Sequence, residues 1–195
     1  MNTVVSVVYV NYNSSALIVD SIDSLTTQCK DVPFEVIIVD NDSKVEEKQK
    51  LDSLKMEGDR NNIQIIYASE NLGFGRANNL GATVAIGKYL FFLNPDTLIC
   101  NDVLKIFYAF LQSSAPTTVA CGGSLLCANQ EPTSSYGNFP GLLQELGSIG
   151  LGLSFILGGY YKRHLAINAA VYQTTPTKVP YIVGADIFIY ADAFN

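Results

Sequence analysis

The sequence predicts an α/β fold built on a mostly parallel sheet with helices on both faces. Three observations carry this. Short apolar, β-branched runs alternate four times with helix-compatible stretches. The first runs are almost uninterrupted by polar residues, as strands buried on both faces are. Each of the first four runs ends in a polar cluster, and parallel direction places all four clusters at one sheet edge, where open α/β sheets bind ligands.

The elements follow in order. Val4 to Val10 reads as a buried strand ended by Asn11-Tyr12-Asn13-Ser14. Ser14 or Ser15 is placed to cap a helix reaching Gln28, with Ile18, Ile22 and Leu25 on one face. Phe34 to Val39 is a second strand, ended by Asp40-Asn41-Asp42-Ser43, and a lysine- and glutamate-rich helix runs on to Met56. Asn61 to Tyr67 is a third strand, followed by Glu70-Asn71-Leu72-Gly73 and a helix over Ala77 to Ile86. Tyr89 to Leu93 is the fourth strand, ended by Asn94-Pro95-Asp96-Thr97, with a helix over Asp102 to Gln112. Thr118 to Cys127 adds a further strand, and Lys178 to Tyr190 returns to strand character. Residues 128 to 178, rich in Gly, Pro, Ser and Thr, are expected to be the least ordered part of the chain.

Composition narrows the function. A chain of 195 residues can bury a sizeable core, and 48% hydrophobic with only 15% charged residues excludes disorder. A net charge of -6 argues against a nucleic-acid partner, which needs a basic surface. The four cysteines (Cys29, Cys100, Cys121 and Cys127) form no C-x-x-C pair, and His164 is the single histidine, so a zinc site is not expected. Reduced, mostly buried thiols fit a cytoplasmic protein. Met1 to Val10 lacks a basic flank and reads as a strand rather than a signal peptide. The apolar stretch Leu146 to Tyr161 contains five glycines and falls short of a membrane span, so it reads as a mobile or membrane-touching loop.

The strand-end clusters supply the candidate chemistry. A carboxylate at Asp96, just past an apolar strand, can hold a divalent metal that bridges two phosphates; the competing role is a cap on its own turn. Asp40 can accept a hydrogen bond from a base N–H or a ribose hydroxyl, or close an Asx-turn. Tyr12 can stack on a base or simply sit half-buried at a strand end. Gly73-Phe74-Gly75-Arg76-Ala77-Asn78 partly matches the dinucleotide-binding G-x-G-x-x-G. Against that reading, Asn78 replaces the third glycine, and the first strand leads into no glycine at all.

Four segments in order resemble family 2 glycosyltransferases, most closely the rhamnosyltransferase-like branch. They are Val5 to Asn13, Val39-Asp40-Asn41-Asp42-Ser43, Asn71-Leu72-Gly73-Phe74-Gly75-Arg76-Ala77-Asn78-Asn79, and Leu93-Asn94-Pro95-Asp96-Thr97. The resemblance covers about residues 3 to 127 and resumes at Val183-Gly184-Ala185; Phe139-Pro140 resembles a feature of that branch's variable loop. It implies a GT-A fold, a three-layer αβα sandwich with a Rossmann-like sheet, and inverting transfer from a nucleoside diphosphate sugar. Asn11, Tyr12, Asn13, Asp40, Asn71, Gly73, Arg76, Asn78, Asn94 and Asp96 are then the expected donor-binding residues. Asp96, matching the last acid of the family's D-x-D-like motif, is the expected ligand of Mn or Mg. Asn94 stands where that motif has its first acid, which implies weaker metal binding.

Residues 1–127 are expected to form the nucleotide-sugar-binding subdomain and 128–195 a partial acceptor-side region with Gly184, Ala185 and Asp186 beside the acceptor. The implied donors are dTDP-rhamnose or a UDP-sugar, and the implied acceptor is a glycan or lipid-linked glycan in surface polysaccharide assembly. The expected setting is cytoplasmic, with the apolar loop a candidate for contact with the inner face of the membrane. The family's catalytic base lies in an acidic motif downstream of the Gly-Ala segment, expected beyond Asn195, so this chain is expected to bind donor but transfer sugar poorly. Asp186 and Asp192 occupy positions that vary in the family. Apolar surface near Tyr181 to Tyr190 is expected to favour self-association. Two rivals stand beside this reading: a nucleotidyltransferase, which would carry a glycine-rich basic loop after its first strand, and a non-catalytic sugar-nucleotide binding module.

Overall fold

The computed structural model describes residues 3–56, 62–137 and 175–194. The chain divides into two compact units, residues 1–122 with 184–195, and residues 123–183.

The first unit is a six-stranded sheet with helices on both faces. Strands β1 (Val5–Asn11) and β4 (Tyr89–Leu93) are buried along their whole length, and β2 (Phe34–Asp40) nearly so, which is why their sequences do not alternate. With β3 (Ile63–Tyr67) they pair in parallel, in the order β3-β2-β1-β4. The chain therefore steps outward from β1 through β2 to β3, then returns to the other side of β1 for β4. This reversal is a topological switch point, and it opens a crevice between the carboxyl ends of β1 and β4.

The helices between these strands cover the two faces. On one face α1 (Ser15–Gln28), α2 (Val45–Met56) and α4 (Val103–Ser113) bury Ile18, Ile22, Leu25, Leu51, Leu54, Leu104, Phe107 and Leu111 against Val7, Tyr9, Ile38 and Phe91. On the other face α3 (Phe74–Val84) lies over Val8, Val10, Ile37 and Val39. Gly81 brings α3 close: a Cβ there would stand 2.5 Å from Val8 Cγ1. The α3 helix begins three residues before the expected Ala77. Its first turn contains Gly75, whose flexibility masks the helix in the sequence, and the break falls at Gly73, at φ +76°, which only glycine adopts without strain.

Two short strands complete the sheet. β5 (Ala120–Cys121) is far shorter than the Thr118–Cys127 run predicted; Gly122 and Gly123 follow it, and glycine weakens a strand. The last strand of this unit, here β8 (Asp186–Tyr190), enters between β4 and β5 and runs antiparallel to both. Residues 184–195 thus fall in the same compact unit as the main sheet. Phe188 is fully buried, stacked on Tyr89 at 5.1 Å between ring centroids. A final turn, α5 (Ala191–Phe194), places Phe194 against Phe92 at 4.8 Å.

In the second unit, residues 125–133 form a tight hairpin closed by Thr133 N–H to Leu125 O at 2.9 Å and Cys127 N–H to Glu131 O at 2.8 Å. Strands β6 (Tyr136–Gly137) and β7 (Tyr181–Ile182) pair antiparallel. The Tyr181 ring occupies the space a side chain on Gly137 would need. Most of the stretch expected to be poorly ordered, residues 138–174, lies outside the described residues, as do His164 and the apolar run Leu146–Tyr161. Among the described residues no helix is long and apolar enough to cross a membrane. The thiols are free, but Cys100 and Cys127 are exposed, so the expectation of mostly buried cysteines holds only for Cys29 and, in part, Cys121. Burial, helped by the charge of Asp186, pushes the Cys121 thiol up to about 12.

Candidate active site

A cleft of about 440 Å³ lies at the switch point, at the carboxyl edge of the parallel strands. Each wall comes from a different strand end. Val10, Tyr12, Ser14 and Leu17 come from β1 and the start of α1; Asn41 comes from the end of β2; Asn71, Gly73 and Phe74 come from the turn into α3; Asn94, Pro95 and Asp96 come from the turn after β4.

Behind the cleft lies a polar knot. Asn11 and Asp40 sit opposite each other in the β1–β2 register and are fully buried. Asn11 Nδ2 donates to Asp40 Oδ2 at 2.7 Å and lies within bonding reach of Ser43 Oγ at 3.1 Å and Ser15 Oγ at 3.3 Å. Asn11 Oδ1 accepts from the Ser14 N–H at 3.1 Å, fixing the turn that presents Tyr12. Asp40 Oδ1 accepts from the Ser43 N–H at 3.1 Å, and Lys48 Nζ stands 3.8 Å away. A buried carboxylate holds its charge only with such partners. Asp40 and Asn11 were expected to touch the nucleotide; they stand behind the residues that line the cleft, and Asp40 also closes its own turn. Asn13 also works locally, at φ +57°, its Oδ1 accepting from the Lys44 N–H at 2.9 Å.

Glu47, on α2, caps α1 from outside. Its Oε2 accepts from the Ser15 N–H at 3.0 Å, while the Ser14 side chain makes no cap bond. The bond from Lys50, then those from the Ser15 backbone and side chain, hold the Glu47 carboxyl down at about 2.

The other expected residues divide. Tyr12 is 55% exposed on the cleft wall, and Phe74, which sequence reasoning did not single out, is 51% exposed there. Gly73 lines the cleft with α3 starting at the next residue, and no side chain caps that helix, so its first N–H groups remain available. Arg76 is exposed one turn further on and does not line the cleft; Asn78 is buried, its Nδ2 donating to Phe74 O at 3.1 Å within the helix. Asn94 N–H donates to Ala185 O at 2.9 Å, which sets Gly184-Ala185-Asp186 beside the β4 turn. Asp186 pairs in register with Leu93 and is buried.

The turn after β4 holds the reactive-looking oxygens. Thr97 closes it, donating through N–H at 3.2 Å and Oγ1 at 2.6 Å to Asn94 O, so Asp96 is not needed as a cap. The Asp96 carboxylate is exposed and lines the cleft. Asn94 Oδ1 is buried and has no hydrogen-bond partner among the described residues. A buried acceptor without a partner costs free energy, and such groups are satisfied by ordered water, an ion or a ligand. Asn41 was missed as a lining residue although it lies inside the Asp40-Asn41-Asp42 cluster; Phe74 was missed because its two glycine neighbours read as loop.

A family model described as glycosyl transferase family 2 matches residues 6–146. The chain belongs to that family. A curated relative, the glycosyltransferase GlyG of Streptococcus pneumoniae serotype 4 (strain ATCC BAA-334 / TIGR4), is 24% identical over 112 residues, covering 57% of this chain and 36% of the relative. Among solved structures, the mannosyltransferase PcManGT from Pyrobaculum calidifontis, in complex with GDP-Man and Mn2+, superposes with a TM-score of 0.57 at 21% identity, covering 65% of this chain and 36% of that one. TarS 1-349 of S. aureus, in complex with UDP-GlcNAc, gives a TM-score of 0.56 at 24% identity, covering 69% and 38%. The chain thus spans well under half the length of these proteins. At such identities the structures establish the fold, which is GT-A.

Proposed function

We propose that the cleft binds the nucleoside diphosphate part of an activated sugar, and that the protein transfers the sugar with inversion to a glycan or lipid-linked acceptor. The observation that carries this is the convergence, at one switch point, of an exposed aromatic ring (Tyr12), a buried amide oxygen with no partner (Asn94) and an exposed carboxylate (Asp96). The ring stacks on the base, the amide oxygen accepts from a donor hydroxyl, and the carboxylate lies toward the diphosphate.

The donor set fits a hard divalent cation. The Asp96 carboxylate offers oxygen only, which suits Mn or Mg. Among the described residues no cluster of three or more metal-binding side chains exists, so the protein would supply one or two ligands and the diphosphate the rest, the usual pattern for magnesium. When bound, the ion would neutralise charge on the departing diphosphate. The chain's own residues orient the donor: Tyr12 and Phe74 exclude water from two sides, and the α3 N-terminus favours an anion. Gly184-Ala185-Asp186, tied to the Asn94 turn, borders the acceptor. The family resemblance favours dTDP-rhamnose or a UDP-sugar as donor, and surface polysaccharide assembly as the setting. Free thiols fit a cytoplasmic site of action.

The test is calorimetric titration of UDP, dTDP and GDP with and without manganese. At least one should bind, more tightly with the metal. If none binds with manganese present, the reading fails.

A further inference from the structure

We infer that Asn41 is a positioning residue that holds the turn into α3, and through it the Gly73–Phe74 wall of the cleft. The inference rests on the donor-binding reading for its consequence, though not for its geometry. Asn41 is 3% exposed at the carboxyl end of β2, where its N–H continues the ladder to Asn11 O at 2.8 Å. Its side chain reaches across to the next strand's exit. Oδ1 accepts from the Leu72 N–H at 2.7 Å, and Nδ2 donates to Asn71 Oδ1 at 3.0 Å. Asn71 Oδ1 in turn accepts from the Gly73 N–H at 2.9 Å. One amide therefore secures three consecutive residues, two through their backbone.

The chemistry requires an amide at position 41. Aspartate would keep the acceptor for Leu72 but set a second oxygen against Asn71 Oδ1. Asn71 can relieve that only by turning its NH₂ toward the carboxylate, which takes the acceptor away from Gly73. Gly73 stands at φ +76°, a conformation many neighbouring geometries compete with, so its N–H anchor matters. Phe74 begins α3 from there, and both line the cleft.

The test has two readouts on the whole chain. Amide hydrogen exchange by NMR is measured for wild type, Asn41→Ala and Asn41→Asp, with Asn71→Ala as a fourth protein whose altered side chain is exposed and leaves the buried end intact. Exchange at Leu72 and Gly73 should speed up by about tenfold or more in Asn41→Ala, the loss expected of a hydrogen bond. Gly73 alone should respond in Asn71→Ala, and Val8 and Ile37 should not respond in either. Nucleoside diphosphate affinity should then fall by about tenfold in both alanine variants. Unchanged exchange at Leu72 and Gly73 in both alanine variants would overturn the inference. Loosened exchange with wild-type affinity would overturn its second half, that the wall is what Asn41 positions. A wild-type chain that binds no nucleoside diphosphate refutes the donor-binding reading instead, and the exchange data still decide whether Asn41 holds the turn.

Discussion

Replacing Asp40 by alanine should unsettle the fold well beyond any effect on a ligand. The carboxylate is fully buried and accepts from Asn11 Nδ2 at 2.7 Å and the Ser43 N–H at 3.1 Å. Hydrogen bonds to a charged acceptor are worth about 1.5–3 kcal/mol each, and the alanine variant leaves two buried donors behind. The losses do not add fully, because Asn11 keeps Ser43 Oγ and Ser15 Oγ within reach. Lys48, 30% exposed and 3.6 Å from Asp42, turns to that partner and to water at little cost. The net expectation is about 3 kcal/mol. With a urea slope of about 2 kcal/mol per molar, the unfolding midpoint should drop by about 1.5 M. Asp42→Asn, half exposed and at φ +65°, a conformation asparagine tolerates, serves as the control and should stay within about 0.5 kcal/mol. A midpoint shift for Asp40→Ala no larger than the control's would refute the view that this carboxylate ties β1 to β2.

Asp96→Ala should leave the urea midpoint unchanged, since the carboxylate is exposed, while lowering nucleoside diphosphate affinity to the level wild type shows in chelator; calorimetry with and without manganese checks both halves. Gly81→Ala sets a helix-propensity gain of about 1 kcal/mol against overpacking of about 1–3 kcal/mol on Val8, a stiff and fully buried neighbour. The variant should be less stable by about 1 kcal/mol in urea, and a more stable variant would show that α3 can lift off β1 freely. Glu47, held at about 2 and titrating near 4.5 when unfolded, contributes stability that is present above about 4.5 and lost as pH falls towards 2. The acid limb of a stability–pH curve should therefore be shallower in Glu47→Gln than in wild type, and the two curves should differ least at the lowest pH.

The parallel half of the sheet was legible because burial on both faces leaves a continuous apolar run, as in Val36 to Val39 and Tyr89 to Leu93. Strand direction was not legible. Asp186 to Tyr190 has strand character in either orientation, and only its pairing with Leu93 to Tyr89 makes it antiparallel and central. The start of α3 was hidden by two glycines that do different things, Gly73 breaking the chain and Gly75 joining the helix. The location of the site could be read from the four polar strand ends, but the roles within it could not. Asn11, Asp40 and Asn41 are equally well placed candidates in a sequence, each a polar residue at a strand end. In the fold the first two face inward to each other, and Asn41 reaches the cleft.

The insertion of β8 between β4 and β5 bears on how the chain folds as it is made. Tyr89 to Leu93 leaves the ribosome long before its partners Asp186 to Tyr190. During that interval the four parallel strands can assemble, yet β4 is an unpaired edge, and the Tyr89 and Phe91 rings lack the Phe188 ring that later covers them. Closing so long a loop adds only a slowly growing entropic cost, so the delay is chiefly kinetic. An apolar edge strand waiting for a distant partner is the species most open to pairing with another copy of the chain. The nascent protein is therefore most exposed to aggregation before residue 190 emerges, and a chaperone that shields β4 during that window would raise its folding yield.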